Sequence, residues 1–175
     1  NIPANVTLKT NNTPITVKVT PKLDPITNPD LLNKTITRTI TINKPKAAPQ
    51  VITQKATFTR TGNTNEVTDE QTFSDWTLNI NKWTEVDAPA VPGYTPDKSK
   101  IDAVNVTPDM TNTRVAINYL TNAQTGKISY VDGEGSEVSH TDLAGKTGDT
   151  ININPQAPVD WKIVEGQNIP KTVVA

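Results

Sequence analysis

Between Lys34 and Arg60 the chain alternates twice, and that alternation leaves it few folds. The first run, Lys-Thr-Ile-Thr-Arg-Thr-Ile-Thr-Ile-Asn, sets Ile36, Ile40 and Ile42 against Thr35, Thr37, Thr39 and Thr41. The second, Gln-Val-Ile-Thr-Gln-Lys-Ala-Thr-Phe-Thr-Arg, sets Ile52, Ala56 and Phe58 against Thr53, Thr57 and Thr59. Successive side chains of a strand point to opposite faces, so each run offers one face to a core and one to water. Thr and Ile are stiff at χ1 and suit a pleated surface. The Pro-rich connection Lys44-Pro-Lys-Ala-Ala-Pro49 separates the runs, and the pattern predicts a long antiparallel pair.

The remainder of the chain is read around that pair. In residues 1–20 two short strands are expected, the second with Ile15, Val17 and Val19 alternating with Thr16, Lys18 and Thr20. Residues 21–31 carry three prolines, each of which removes a donor and restricts its predecessor, so a stiff linker is expected there. Phe73, Trp76, Leu78 and Ile80 suggest a further strand or irregular apolar segment, and residues 97–103 a short helical turn. Val115, Ile117 and Tyr119 mark a last strand that would lie beside the first pair. A joint over 122–125 leads to a hairpin pattern: Ile128 and Tyr130, the turn Asp132-Gly-Glu-Gly135, then a return from Val138.

With 175 residues the chain holds one ordinary domain or two small ones. About one residue in six is Thr, 14 are Pro, and the mean hydropathy is −0.48. That composition favours long solvated ribbons over a thick core, and small modules of this kind gain from docked neighbours. The net charge is −1 with no block of like charge, which argues against nucleic acid or anionic lipid as partners. No apolar run approaches the roughly 20 residues that span a bilayer. There is no Cys, hence no disulfide framework.

Several separated motifs agree in order with one family. Thr-Ile-Thr-Arg-Thr-Ile40, Gln54-Lys-Ala-Thr-Phe-Thr-Arg-Thr-Gly62, Ser74-Asp-Trp76 and Val91-Pro-Gly-Tyr-Thr-Pro96 resemble the repeat unit of lactobacillal mucus-binding proteins, over about residues 32–121. From Gly126 to Ile153 the chain is similar to the opening half of the mucin-binding module that alternates with that repeat. The shared signature is Tyr130-Val-Asp132 followed by Leu143-Ala-Gly-Lys-Thr-Gly-Asp149. Where such modules continue with Pro-Gly-Tyr, Val159-Asp160-Trp161 stands here. Gln167-Asn-Ile-Pro-Lys-Thr-Val173 also echoes the start of the chain, Asn1-Ile-Pro-Ala-Asn-Val-Thr7, as expected of a stretch of tandem array. The organisation expected is therefore 1–22 as terminal strands of one mucin-binding module, 23–31 as linker, 32–121 as the central repeat module, and 122–175 as the opening of the next mucin-binding module.

The resemblance implies a mainly β fold, α+β at most, built of small elongated β-grasp-like modules in tandem. It implies a cell-wall-anchored, extracellular adhesin of a Gram-positive bacterium, the anchor lying outside this fragment. Its partners would be mucin glycoproteins, bound weakly per repeat and multivalently in the array, and neighbouring repeats. Two alternatives stay open: binding of host proteins such as immunoglobulins through an exposed sheet edge, and a spacer role.

The residues offer little chemistry. The single His, His140, sits in Val-Ser-His-Thr-Asp without a nucleophile elbow, so no catalytic residue is assigned and no enzyme is expected. One His and no Cys cannot build a zinc site. Asp132, Glu134 and Glu137 alternate in a Gly-rich loop and are weak candidates for structural calcium, with a plain hairpin turn the simpler reading; no other cofactor is expected. Flat aromatics with polar neighbours suit a sugar face, which selects Trp83, Tyr94 and nearby Asp87 as glycan contacts. Trp76 is expected in the core.

Overall fold

A computed structural model describes residues 14–79 and 82–175. In chain order it contains β1 (Leu23–Pro25), the helical turn α1 (Pro29–Leu32), β2 (Asn33–Asn43), β3 (Gln50–Thr59), β4 (Gly62–Asn65), β5 (Gln71–Phe73), β6 (Thr77–Leu78), β7 (Lys82–Trp83) and β8 (Val86–Asp87). It continues with β9 (Tyr94–Pro96), β10 (Lys100–Ile101), β11 (Val104–Asn105), β12 (Thr113–Thr121), β13 (Ala123–Val131), β14 (Glu137–Lys146), β15 (Thr150–Asn152) and β16 (Thr172–Val174). The fold is mainly β.

The two alternating runs form β2 and β3, antiparallel, from Asn33↔Thr59 to Ile42↔Gln50. They centre a five-stranded sheet of order β6-β3-β2-β12-β9. The last strand, β12, lies on the free edge of β2 as expected, and runs parallel to it with Ile117 opposite Ile42. A parallel neighbour needs a long crossover; residues 60–112 supply it as short strand pairs folded over one face.

That face is the core. Ile36, Ala56, Phe58, Trp83 and Val106 form one buried cluster, with Trp76, Val104 and Met110 packed on it. Ile40, Ile42, Ile101 and Ile117 form a second. Burying each large side chain contributes about 1.5–3 kcal/mol. The opposite face of β2 stays half-open and Thr-rich, as its alternation dictates.

Three expectations change. Residues 23–31 are more than a linker: β1 pairs antiparallel with β4, and Asn28 caps α1 by accepting from the Asp30 N–H at 3.0 Å. Pro25 is tolerated because it ends a strand on a sheet edge. Residues 97–103 hold a strand, β10, in place of a helical turn, because Lys100 and Ile101 pair with Asp87 and Val86. The segment with Ile15, Val17 and Val19 lies in no strand, since nothing among the described residues pairs with it. The earlier strand expected before it, and Ile80, lie outside the described residues.

The hairpin from Ala123 is present as β13 and β14, paired from Ala123↔Lys146 to Val131↔Glu137 with a bulge near Val131. The joint over 122–125 is shorter than expected, since β13 begins at Ala123. Further along, β15 pairs antiparallel with β16, the strand inside the echoed motif.

Candidate functional site

The glycan contact expected of Trp83 is corrected by its burial. The pairing of β7 with β11 sets Trp83 opposite Val104, inside the first core cluster and 2% exposed. Its indole presents no face to solvent, and its Nε1 has no hydrogen-bond partner. A module this poor in large apolar side chains spends its Trp residues on packing. Trp76 does the same: it packs on the core, and the Arg60 guanidinium lies 4.4 Å from its ring.

Beneath the loops sits a buried cation. Arg38 shares the parity of Ile36 and Ile40 and therefore faces the core, where it is 3% exposed. Its Nε and Nη2 donate to Gln54 Oε1 at 2.9 and 2.7 Å. Nη2 also donates to the Thr84 carbonyl and Nη1 to the Asp102 carbonyl, both at 2.8 Å. Its guanidinium lies 5.3 Å from the Trp83 ring centre. Burial pulls its pKa down, yet a guanidinium stays charged. Arg38 thus pins two loop carbonyls to the sheet and fixes the ends of the 85–101 segment. Its position in the alternation carried that signal.

That segment presents Tyr94. The Tyr94 N–H donates to the Val91 carbonyl at 3.1 Å, and Gly93 between them has φ +79°, the left-handed conformation a type II turn requires at its third position. Tyr94 opens β9, which pairs with the end of β12. The Tyr119 hydroxyl donates to the Pro89 carbonyl at 2.6 Å and holds the Pro-rich loop down. The outcome is an open hollow of about 410 Å³ lined by Ala88, Pro89, Val91, Pro92, Tyr94 and Ser99. Asp87 is exposed at the start of this loop. The fold therefore keeps Tyr94 and Asp87 on one surface loop and withdraws Trp83 from it.

The hairpin loop is occupied with its own turn. Asp132 Oδ1 accepts from the N–H groups of Glu134 and Ser136, each at 2.9 Å. Glu137 instead accepts from Lys127 at 2.7 Å and lies 3.1 Å from His140 Nδ1. Among the described residues no group of three or more His, Cys, Asp or Glu side chains is placed to hold a metal ion. The Lys127 hydrogen bond, with help from Ser129, holds the Glu137 carboxyl below the usual range. His140 is exposed on β14 beside Glu137 and Asp142, and its neighbour Ser139 points to the opposite face of the strand.

A second concavity was not anticipated. A groove of about 220 Å³ runs along β13, lined among others by Ile128, Tyr130, Val138, Trp161, Ile163 and Ile169. Trp161 reaches it from a turn that repeats the one before Tyr94. The Trp161 N–H donates to the Pro158 carbonyl at 3.0 Å, and Asp160 takes the place of Gly93 with φ +67°. The spacing Val159-Asp160-Trp161 at the site of a Pro-Gly-Tyr signature held that information; Asp tolerates the left-handed region better than most residues, though less well than Gly.

A family model described as a Muc B2-like domain matches residues 27–123, more than half of the chain. Among solved structures, the mucin-binding domain of Spr1345 from Streptococcus pneumoniae is 26% identical, with TM-score 0.44, over 56% of this chain and 94% of that one. Mub-RV is 27% identical, with TM-score 0.48, over 58% of this chain and 60% of that one. The MucBP domain of an adhesion protein from Pediococcus pentosaceus is 28% identical, with TM-score 0.41, over 51% of this chain and 99% of that one. No curated protein matches the chain.

Proposed function

The chain belongs to the Muc B2-like domain family, and from that premise we propose that it is an adhesin module that binds mucus glycoproteins at a bacterial surface. The observation that carries the reading is the family match over residues 27–123, the stretch whose motifs resemble mucus-binding repeats. The geometry supports binding rather than catalysis. The surface chemistry is a half-buried aromatic, Tyr94, in a Pro-rich hollow, with Asp87 exposed where that loop begins. Aromatic rings offer area and a polar tip at small entropic cost, which suits the apolar face of a sugar ring. An open hollow with one such ring gives weak binding per module, and repetition raises it through effective concentration. No helix among the described residues is long and apolar enough to cross a membrane.

The test is binding of the purified chain to immobilised intestinal mucin, native and enzymatically deglycosylated, with immunoglobulin G as a parallel surface. Saturable binding to native mucin that disappears on deglycosylation is the expected result. Binding that survives deglycosylation, or occurs on immunoglobulin alone, would replace the glycan reading with a protein-directed one. A flat response on every surface would leave a spacer.

A further inference from the structure

Charge is segregated within the central module. The three long strands β2, β3 and β12 hold Lys34, Arg38, Lys55 and Arg114 and no Asp or Glu, while every acidic residue between Asn33 and Thr121 lies in residues 60–112. Two of these cations have core-facing parity and are satisfied by the crossover. Arg38 donates to the Asp102 and Thr84 carbonyls, and Lys34 to the Pro108 carbonyl. The other two, Lys55 and Arg114, have the opposite parity and are exposed. Neither takes part in an ion pair among the described residues.

The pairing registers place both around one spot. Thr39 of β2 lies between Thr53 of β3 and Arg114 of β12, and the next outward residue, Thr37, lies opposite Lys55. Outward side chains recur every ~6.7 Å along a strand, and neighbouring strands are ~4.8 Å apart, so the Cα atoms of Lys55 and Arg114 are ~12 Å apart. Side chains of that length can meet over the hydroxyls of Thr37 and Thr39. Asp97, beside β12, is engaged by Asn118, four residues beyond Arg114. Tyr94 lies opposite Thr121, in the parity of Tyr119, so the Tyr94 hollow belongs to the other side of the sheet.

We propose that Lys55 and Arg114 bind a sulfate ester on a mucus glycan, with the Thr37 and Thr39 hydroxyls donating to its remaining oxygens. Two cations without a competing carboxylate suit one anionic group and are too few for a polyanion. A carboxylate is satisfied by a single guanidinium fork. A sulfate ester offers three oxygens and takes donors from several directions, as this face supplies them. The source of the sulfate, a mucus glycoprotein, rests on the function proposed above; the two-cation site does not. Contacts between exposed charges are weak and screened by salt.

The test is a nuclear magnetic resonance titration of the whole chain with galactose 6-sulfate, with galactose and sialyllactose as comparison sugars. Galactose 6-sulfate should shift the amides of Thr37, Thr39, Lys55 and Arg114, leave Tyr94 unmoved, and lose its effect as salt is raised. The comparison sugars should leave that face unmoved. Arg114→Gln and Lys55→Gln, both at exposed side chains, should each weaken the affinity about threefold, and the double variant about tenfold. On immobilised mucin, desulfation should remove the share of binding that the double variant loses, and sialidase should not. Absence of shifts on that face at tens of millimolar sugar overturns the proposal, whether or not the chain binds mucin. So does an equal response to sialyllactose, or a sulfate response that the double variant keeps. The expected shifts in a chain that does not bind mucin would uphold the site and remove only the mucus source.

Discussion

The Thr147 hydroxyl donates to the Gly93 carbonyl at 2.7 Å, joining the turn before β9 to the end of β14. The same carbonyl accepts from the Asn122 N–H at 2.9 Å, and the Asn122 carbonyl accepts from the Thr147 N–H at 2.9 Å. A Cβ built on Gly93 would sit 2.6 Å from Thr147 Cγ2. The turn that presents Tyr94 is therefore also the joint to the following hairpin. Gly93→Ala should be destabilising by about 1–3 kcal/mol, through its left-handed φ and the clash. Thr147→Val removes the hydroxyl at similar volume and should cost about 1 kcal/mol. Thermal unfolding of both variants measures this; a Gly93→Ala chain as stable as the parent would refute the joint.

Trp83→Ala empties the centre of the first core cluster. A loss of about 3–5 kcal/mol is expected, enough to unfold a marginal module. Urea titration followed by far-ultraviolet circular dichroism reads it directly. A folded Trp83→Ala chain that merely loses mucin binding would return Trp83 to the surface, contrary to the structure.

Arg38→Ala removes the side-chain donor of the Asp102 carbonyl and one of two donors of the Thr84 carbonyl, which keeps Gln54 Nε2 at 3.0 Å. A hydrogen bond from a charged donor contributes about 1.5–3 kcal/mol. The expected variant is destabilised by a few kcal/mol, with the 85–101 segment opened to proteolysis before the sheet. Uniform susceptibility along the chain would show that Arg38 does not hold those loops.

Asp160 occupies a left-handed position that its counterpart Gly93 occupies without strain. Asp160→Gly should raise stability by about 0.5–1 kcal/mol. An unchanged or lower midpoint would mean that the side chain makes a contact outweighing the strain.

Acid should loosen the fold through two exposed carboxylates. Asp97 is held below its usual range chiefly by the Asn118 N–H, at 2.8 Å, and Glu137 chiefly by Lys127. Each folded-state pKa is depressed, so each contribution is present above the unfolded value of about 4 and is lost as pH falls through the lower folded value. The melting temperature should drop below about pH 4, less steeply in Asp97→Asn. Parallel profiles for parent and variant would remove Asp97 from the account.

How much of this was legible in the sequence differs by element. The β2–β3 pair was, because alternation sustained over most of both strands fixes strand type and face, even with Arg38 and Gln54 at inward positions. The place of β12 beside the first pair was, though its parallel direction was not; direction follows from the crossover, which period-2 patterns do not encode. Two-residue strands such as β7 and β10 have no period to read, so the burial of Trp83 was hidden and residues 97–103 resembled a helical turn. Arg38 was legible by parity and obscured by its charge. The groove needed tertiary structure, because Ile128, Val138 and Trp161 meet only when hairpin and turn fold together.

The surface claim is tested most directly by mucin binding of Tyr94→Ala and Tyr94→Phe beside the parent chain, with all three confirmed folded. Tyr94→Ala should weaken binding about tenfold, as loss of a stacked ring worth about 1.4 kcal/mol would require, and Tyr94→Phe should retain most of it. Equal binding by the parent and Tyr94→Ala would contradict the account and move the mucus contact away from the Pro-rich loop.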